Sequence, residues 1–279
     1  MRPRYGLALL LAAPAFVWTF DLLTATPPLI LAAATLPALV AAALIVAVQW
    51  PARRPLRLLA AAFAWGAIGA AFLATSSNEI ARAWMNVPAG DAGRLVMATL
   101  IAPVLEESAK ACGLVLLWML APHALRTAGD GVVYGVLIGI GFVCTENFLY
   151  LGISMLQGGQ AGVTSALYMR GVLSSAAHAT FTACSGAGLG ASMQRAGKVS
   201  AVAAAGLLAA VLQHAVWNGI AAPALVDTVC GTADAAACAA GAAEVWRIPA
   251  ATVVAAAFLA PGIALVSALS GRTGWRRRR

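Results

Sequence analysis

The chain has 279 residues, 62% of them hydrophobic and only 10% charged, with a mean hydropathy of +0.87. Those values exclude an ordinary soluble domain. The net charge of +8 does not point to nucleic acid either, because the basic residues are parcelled out between apolar runs. The composition specifies an all-α membrane protein, a polytopic bundle of about eight helices, each long enough for a ~30 Å hydrocarbon core.

The expected spans follow in chain order within a single transmembrane domain, 1–279. The first, 5–23, begins on the basic MRPR and contains Ala13-Pro14-Ala15, a tripeptide like a signal-cleavage site. Apolar sequence continues through Phe16, Val17, Trp18 and Phe20, so an uncleaved helix is expected. Spans 28–50 and 57–75 carry almost no polar residues, which predicts three peripheral helices over 5–93. SSNEIARAWMNVPAGDAG then suits a short interfacial helix with Trp84 at the headgroups.

Spans 94–120, 131–157, 166–193 and 199–222 hold the polar residues and form the expected four-helix catalytic core, 94–222. A loop at 223–247 leads to the last span, 248–270, and a basic tail, the closing segment being 248–279. The terminal WRRRR reads as a headgroup anchor.

With the N-terminus cytoplasmic, one side collects Arg2, Arg4, Arg53, Arg54, Arg57, Arg126, Arg195, Lys198, Arg272 and Arg276 to Arg279. The other side has Arg82, Arg94, Arg170 and Arg247. The positive-inside rule then makes the chain N-in and C-in. Cys112, Cys144 and Cys184 fall inside spans as small apolar residues, whereas Cys230 and Cys238 lie on the expected outer side, where a disulfide can form.

The core spans contain Glu106, Glu107, Lys110, Glu146, Asn147, His178, His214 and Asn218. A charge at the bilayer centre costs about 2.5–3.5 kcal/mol on the lenient insertion scale, so each one needs a partner or a wet cavity. At ~1.5 Å per residue, Glu106, Glu146 and His178 lie about 11–12 residues below the outer helix ends and His214 about 8. Antiparallel helices thus deliver these groups to nearly one plane. Lys110 follows Glu106 by four residues and Glu107 by three, so it can pair with either. The two glutamates point about 100° apart and must play different parts.

Two histidines and a carboxylate are the usual ligands of a catalytic zinc, and a second glutamate can move the protons of hydrolysis. The expected metal set is His178, His214 and Glu146, with Glu106 as general base. Glu107 would orient the site through Lys110, and Asn218 or Asn147 would polarise the scissile carbonyl. No HExxH is present, which excludes the zincin arrangement. A proton-coupled transporter uses similar residues, but it predicts inverted repeats and interrupted helices, and neither is clearly legible. A catalytically dead adaptor would have lost a motif residue, and none is missing.

The ordered motifs EESAK at 106–110, FVCTENFLY at 142–150, His178 in HATFTACSGAGLG, and HAVWN at 214–218 resemble those of the PrsW family of intramembrane proteases. The resemblance covers about residues 94–222 and extends to the CAAX-processing membrane proteases. It implies a polytopic peptidase, usually described as a metalloprotease. The precedent in that family is site-1 cleavage of a membrane-spanning anti-sigma factor near its outer face. The CAAX proteases carry a histidine where this chain has Glu146, and they are thought to work without metal. Zinc and a metal-free glutamate mechanism therefore both stay open on the sequence, as does the choice between Glu106 and Glu107 as the base.

Overall fold

The computed structural model describes residues 3–49, 54–167, 170, 175–230 and 248–271, and every regular element in them is helical. The helices are α1 (Pro3–Ala25), α2 (Pro28–Gln49), α3 (Leu56–Ala64), α4 (Ala71–Trp84), α5 (Asp91–Val96) and α6 (Ala102–Leu120). They continue with α7 (Ala128–Ala166), α8 (Ser175–Ala196), α9 (Ala201–Val216), α10 (Ala222–Cys230) and α11 (Ile248–Gly271). Wide π-turns join neighbours without breaking the path, at Trp65–Ala70 between α3 and α4, Met97–Ile101 between α5 and α6, and Trp217–Ala221 between α9 and α10.

Five of these paths are long and apolar enough to cross a membrane: Pro28–Val48, Leu56–Trp84, Ala128–Gln160, Ala201–Leu225 and Ala250–Leu269. The α5–α6 path is not among them, because Glu106, Glu107 and Lys110 fall inside its apolar stretch. Large apolar side chains stand exposed on the outer faces, among them Leu44, Val48, Leu156, Leu208 and Val253. In water such a surface would aggregate, whereas in a bilayer it is the lipid face.

Helix α7 is the axis of the bundle. In its most apolar stretch 72% is buried, against 17–33% in the other four spans. Its glycines recur every fourth residue on the side that meets α8. A Cβ at Gly135 would lie 2.4 Å from the Thr182 carbonyl oxygen, and one at Gly139 2.4 Å from that of His178. Small residues at this spacing let two backbones touch, and packing of this kind drives helix association in lipid. The opposite face meets α3 equally closely, with Gly141 against the Phe63 carbonyl. Gly139→Ala is expected to cost about 1–3 kcal/mol by forcing α8 and His178 outward. A lower unfolding midpoint in detergent, together with slower cleavage, would register it.

The N-terminus of α7 is held by a capping box. Thr127 Oγ1 accepts from the Asp130 amide at 3.1 Å, and the Asp130 carboxylate accepts from the Thr127 amide at 2.9 Å. The same carboxylate binds Arg54 at 3.0 Å, which ties the start of α3 to the start of α7. At the far end α7 breaks at Gly159, whose φ of 57° suits a residue without a Cβ.

Two expectations are corrected. The third span is not peripheral: it packs on α6 and α7, and Trp65 donates from its π-turn to the Ala109 carbonyl at 3.1 Å. A separate interfacial helix after it is absent among the described residues. Instead α4 runs unbroken through Trp84, because no breaker occurs before Asn86, where φ turns to 48°. Cys144 and Cys184 are buried, whereas Cys112 is exposed. Cys238 and the side chain of Cys230 lie outside the described residues, as do Arg2, Arg53, Arg247 and the basic tail from Arg272.

Candidate active site

Four helical paths bring the polar residues together: α6 carries Glu106, Glu107 and Lys110, α7 carries Glu146 and Asn147, α8 carries His178, and the α9–α10 path carries His214 and Asn218. Glu107, Lys110, His178 and His214 are essentially sealed, and Glu106 is 7% exposed. That small difference reflects helical phase. Glu106 lines a cavity of about 680 Å³, together with Glu146, His178, Asn218, Tyr150 and Arg170, while Glu107 and Lys110 lie behind it.

Behind the cavity wall the hydrogen bonds are dense. Lys110 Nζ is 2.7 Å from Glu107 Oε1 and 3.8 Å from Glu106 Oε2, so the lysine belongs to Glu107. Its ammonium also sits 3.8 Å from the centre of the Phe142 ring, a cation–π contact in a dry setting. Glu107 Oε1 receives a second contact, from His214 Nδ1 at 2.9 Å, and Thr182 Oγ1 lies 3.4 Å from Oε2. Phe181 stacks on the His214 ring with centroids 5.0 Å apart. Every charge on Glu107 is therefore answered from the protein side.

The partners dictate how the two imidazoles carry their protons. An ionised carboxylate only accepts, so His214 donates from Nδ1 to Glu107, and its Nε2 lies 3.8 Å from Glu106 Oε2. A lysine ammonium only donates, so His178 accepts at Nδ1, where Lys110 lies 2.9 Å away. The His178 proton is then on Nε2, 3.2 Å from Glu146 Oε2.

Glu146 Oε2 also meets Arg170 Nη2 at 2.9 Å, and the Arg170 guanidinium lies over the Tyr150 ring, 3.4 Å from its centre. From the sequence, Arg170 counts only among the outer-side basic residues. A signal was available, since position 170 falls four residues inside the expected span 166–193. The asparagines are committed differently from expectation. Asn218 Nδ2 donates to the Ala98 carbonyl at 3.0 Å, and Asn147 Nδ2 reaches the Arg170 carbonyl at 3.4 Å. Asn218 lines the cavity, and Asn147 is not part of its lining.

Glu106 Oε2 is buried and makes no hydrogen bond. One ligand atom each from Glu106, His178 and His214 lie within 4.8 Å of one another, close enough to hold a metal ion. Two imidazoles and a carboxylate with an unanswered oxygen fit a divalent cation of the zinc type. This triplet shares both histidines with the expected set and has Glu106 in the place expected for Glu146.

The family model for PrsW family intramembrane metalloproteases matches residues 54–240. The match begins at the foot of α3, so it takes in the third span as well as the four polar helices. No curated protein and no solved structure matches the chain.

Proposed function

Because the chain belongs to the PrsW family of intramembrane metalloproteases, and is therefore a membrane peptidase, we propose that it cleaves single-pass membrane proteins within this cavity. By family precedent an anti-sigma factor is the candidate substrate. One observation carries the assignment of the site: Glu106, with a buried oxygen that makes no hydrogen bond, converges with His178 and His214.

A zinc ion held by Glu106, His178 and His214 would supply Lewis acidity to the water and to the scissile carbonyl. The chain's own groups do the rest. Glu146 takes the proton of the attacking water and returns it to the leaving amine. Glu107 stays out of the cavity and orients His214 through Nδ1, as a carboxylate behind a ligating histidine does. Lys110 balances the charge of Glu107. The substrate helix must unwind locally, because a helical peptide bond is hydrogen-bonded and sterically closed.

The cavity lining includes Asn78, Glu79, Arg82 and Arg94, at the opposite end of the α3–α4 path from the Arg54–Asp130 pair. With eight crossings and both termini cytoplasmic, that mouth faces outward from a bacterial plasma membrane. Cleavage would then fall near the outer end of the substrate span.

A second reading rests on the 2.9 Å contact between Lys110 and His178 Nδ1. As long as Lys110 donates there, His178 Nε2 keeps its proton and is a hydrogen-bond donor instead of a ligand. In that case Glu106 activates water directly, without metal. The deciding experiment is metal analysis of the purified protein alongside cleavage of a panel of single-span peptides. The metal reading expects about one bound ion per chain, lost together with cleavage in His214→Ala. Cleavage that persists after complete metal removal selects the second reading, and no cleavage of any peptide by wild type would count against proteolysis itself.

A further inference from the structure

We infer that Arg170 is a further catalytic residue, whose guanidinium holds the carbonyl oxygen of the scissile peptide bond as negative charge develops on it. The inference rests on the proteolytic reading above and assigns the oxyanion to a charged group beside the asparagines, each of which already gives one hydrogen bond to a backbone carbonyl. The Nδ2 atoms of Asn218 and Asn147 are already directed at the carbonyls of Ala98 and Arg170. Among the charged groups on the cavity wall, Arg170 stands beside the Glu146–His178 pair.

Its geometry suits the task. The Tyr150 ring supports the guanidinium plane, with 3.4 Å from Arg170 Cζ to the ring centre. Glu146 fixes one edge through Nη2 at 2.9 Å. Nε is buried without a hydrogen-bond partner. A planar fork with an unused N–H, held in a site of low dielectric, is an arrangement that stabilises an oxyanion.

The step balances with water as the only co-reactant. The water oxygen bonds to the carbonyl carbon, the C=O electron pair moves onto oxygen, and the water proton passes to Glu146. As Glu146 is neutralised its hold on Arg170 weakens, and the guanidinium is released to the oxyanion at the moment that charge appears. Collapse restores the carbonyl and breaks the C–N bond. The nitrogen keeps the electron pair and takes the proton from Glu146, leaving a carboxyl terminus and a free amine.

The test compares wild type, Arg170→Gln and Arg170→Lys on single-span peptides and on phosphinic analogues of the same peptides, which mimic the tetrahedral anion. Arg170→Gln is expected to lower kcat by about 10²–10³ while KM changes less than about threefold. Phosphinate affinity, read by calorimetry, should fall in parallel. Arg170→Lys keeps the charge without the fork, and is expected to lose about tenfold in both readouts. Phosphinate affinity unchanged in both variants overturns the proposal, as does kcat within about threefold of wild type. Where Arg170→Gln does not fold, Arg170→Lys decides on the same two readouts. If no peptide is cleaved even by wild type, that failure belongs to the proteolytic reading, and phosphinate binding still reports on Arg170.

Discussion

Glu106→Gln is expected to lower cleavage by about a thousandfold while leaving the fold intact. The side chains have nearly the same shape, and Glu106 Oε2 makes no hydrogen bond that the substitution could break. Lys110 Nζ and His214 Nε2 are each 3.8 Å from that oxygen. Glu106 thus contributes little to holding the bundle together, and removing its charge removes one more carboxylate from an apolar setting. Cleavage of single-span peptides and the unfolding midpoint in detergent measure the two halves of this expectation. Metal content adds a third readout, because loss of bound ion with the carboxylate follows only if Glu106 is a ligand. Wild-type rates in Glu106→Gln would remove it from the chemistry under either reading of the site.

The opposite pattern is expected for Lys110→Met, which should damage stability first. Lys110 is 2.7 Å from Glu107, both are fully buried, and the lysine also donates to His178. Methionine fills similar space but leaves the Glu107 charge sealed in the bundle with only the His214 and Thr182 contacts. Breaking a buried pair from one side costs about 3–5 kcal/mol, because an uncompensated charge remains. The double variant Lys110→Met/Glu107→Gln should recover part of that loss, since it removes the stranded charge as well. Unfolding midpoints for the two single variants and the double variant form the cycle that reads the coupling. A fall no larger than that of Glu106→Gln would show that Lys110 is dispensable to the fold. Taken together, the two substitutions separate neighbouring carboxylates by function, one facing the reaction and one facing the protein.

Much of this division was legible in the chain. Adjacent residues on a helix point about 100° apart, so Glu106 and Glu107 had to differ in role. The spacing to Lys110 marked an ion pair, and the common depth of the polar residues marked a shared layer. The α3–α4 path was harder to place, because an almost wholly apolar span carries no sign of what it packs against. Gly66 and Trp65 take it into the centre of the bundle, and those contacts are made by backbone and ring surfaces that hydropathy does not register. Arg170 was hidden for a related reason: near the end of a span, an arginine that serves topology and one that turns into a cavity read alike.

By itself, then, the sequence determined the membrane class, the identity of the polar residues and the family. All of these follow from hydropathy, helical periodicity and motif order, which are properties of short stretches of chain. Only the tertiary structure decided that Glu106 faces the cavity, that Lys110 belongs to Glu107, that His214 turns Nδ1 to Glu107 while His178 turns Nδ1 to Lys110, and that Arg170 joins Glu146. These depend on how each helix is rotated about its axis. That rotation is set where glycines on α7 let α8 and the α3 path approach to backbone contact, between residues far apart in the chain.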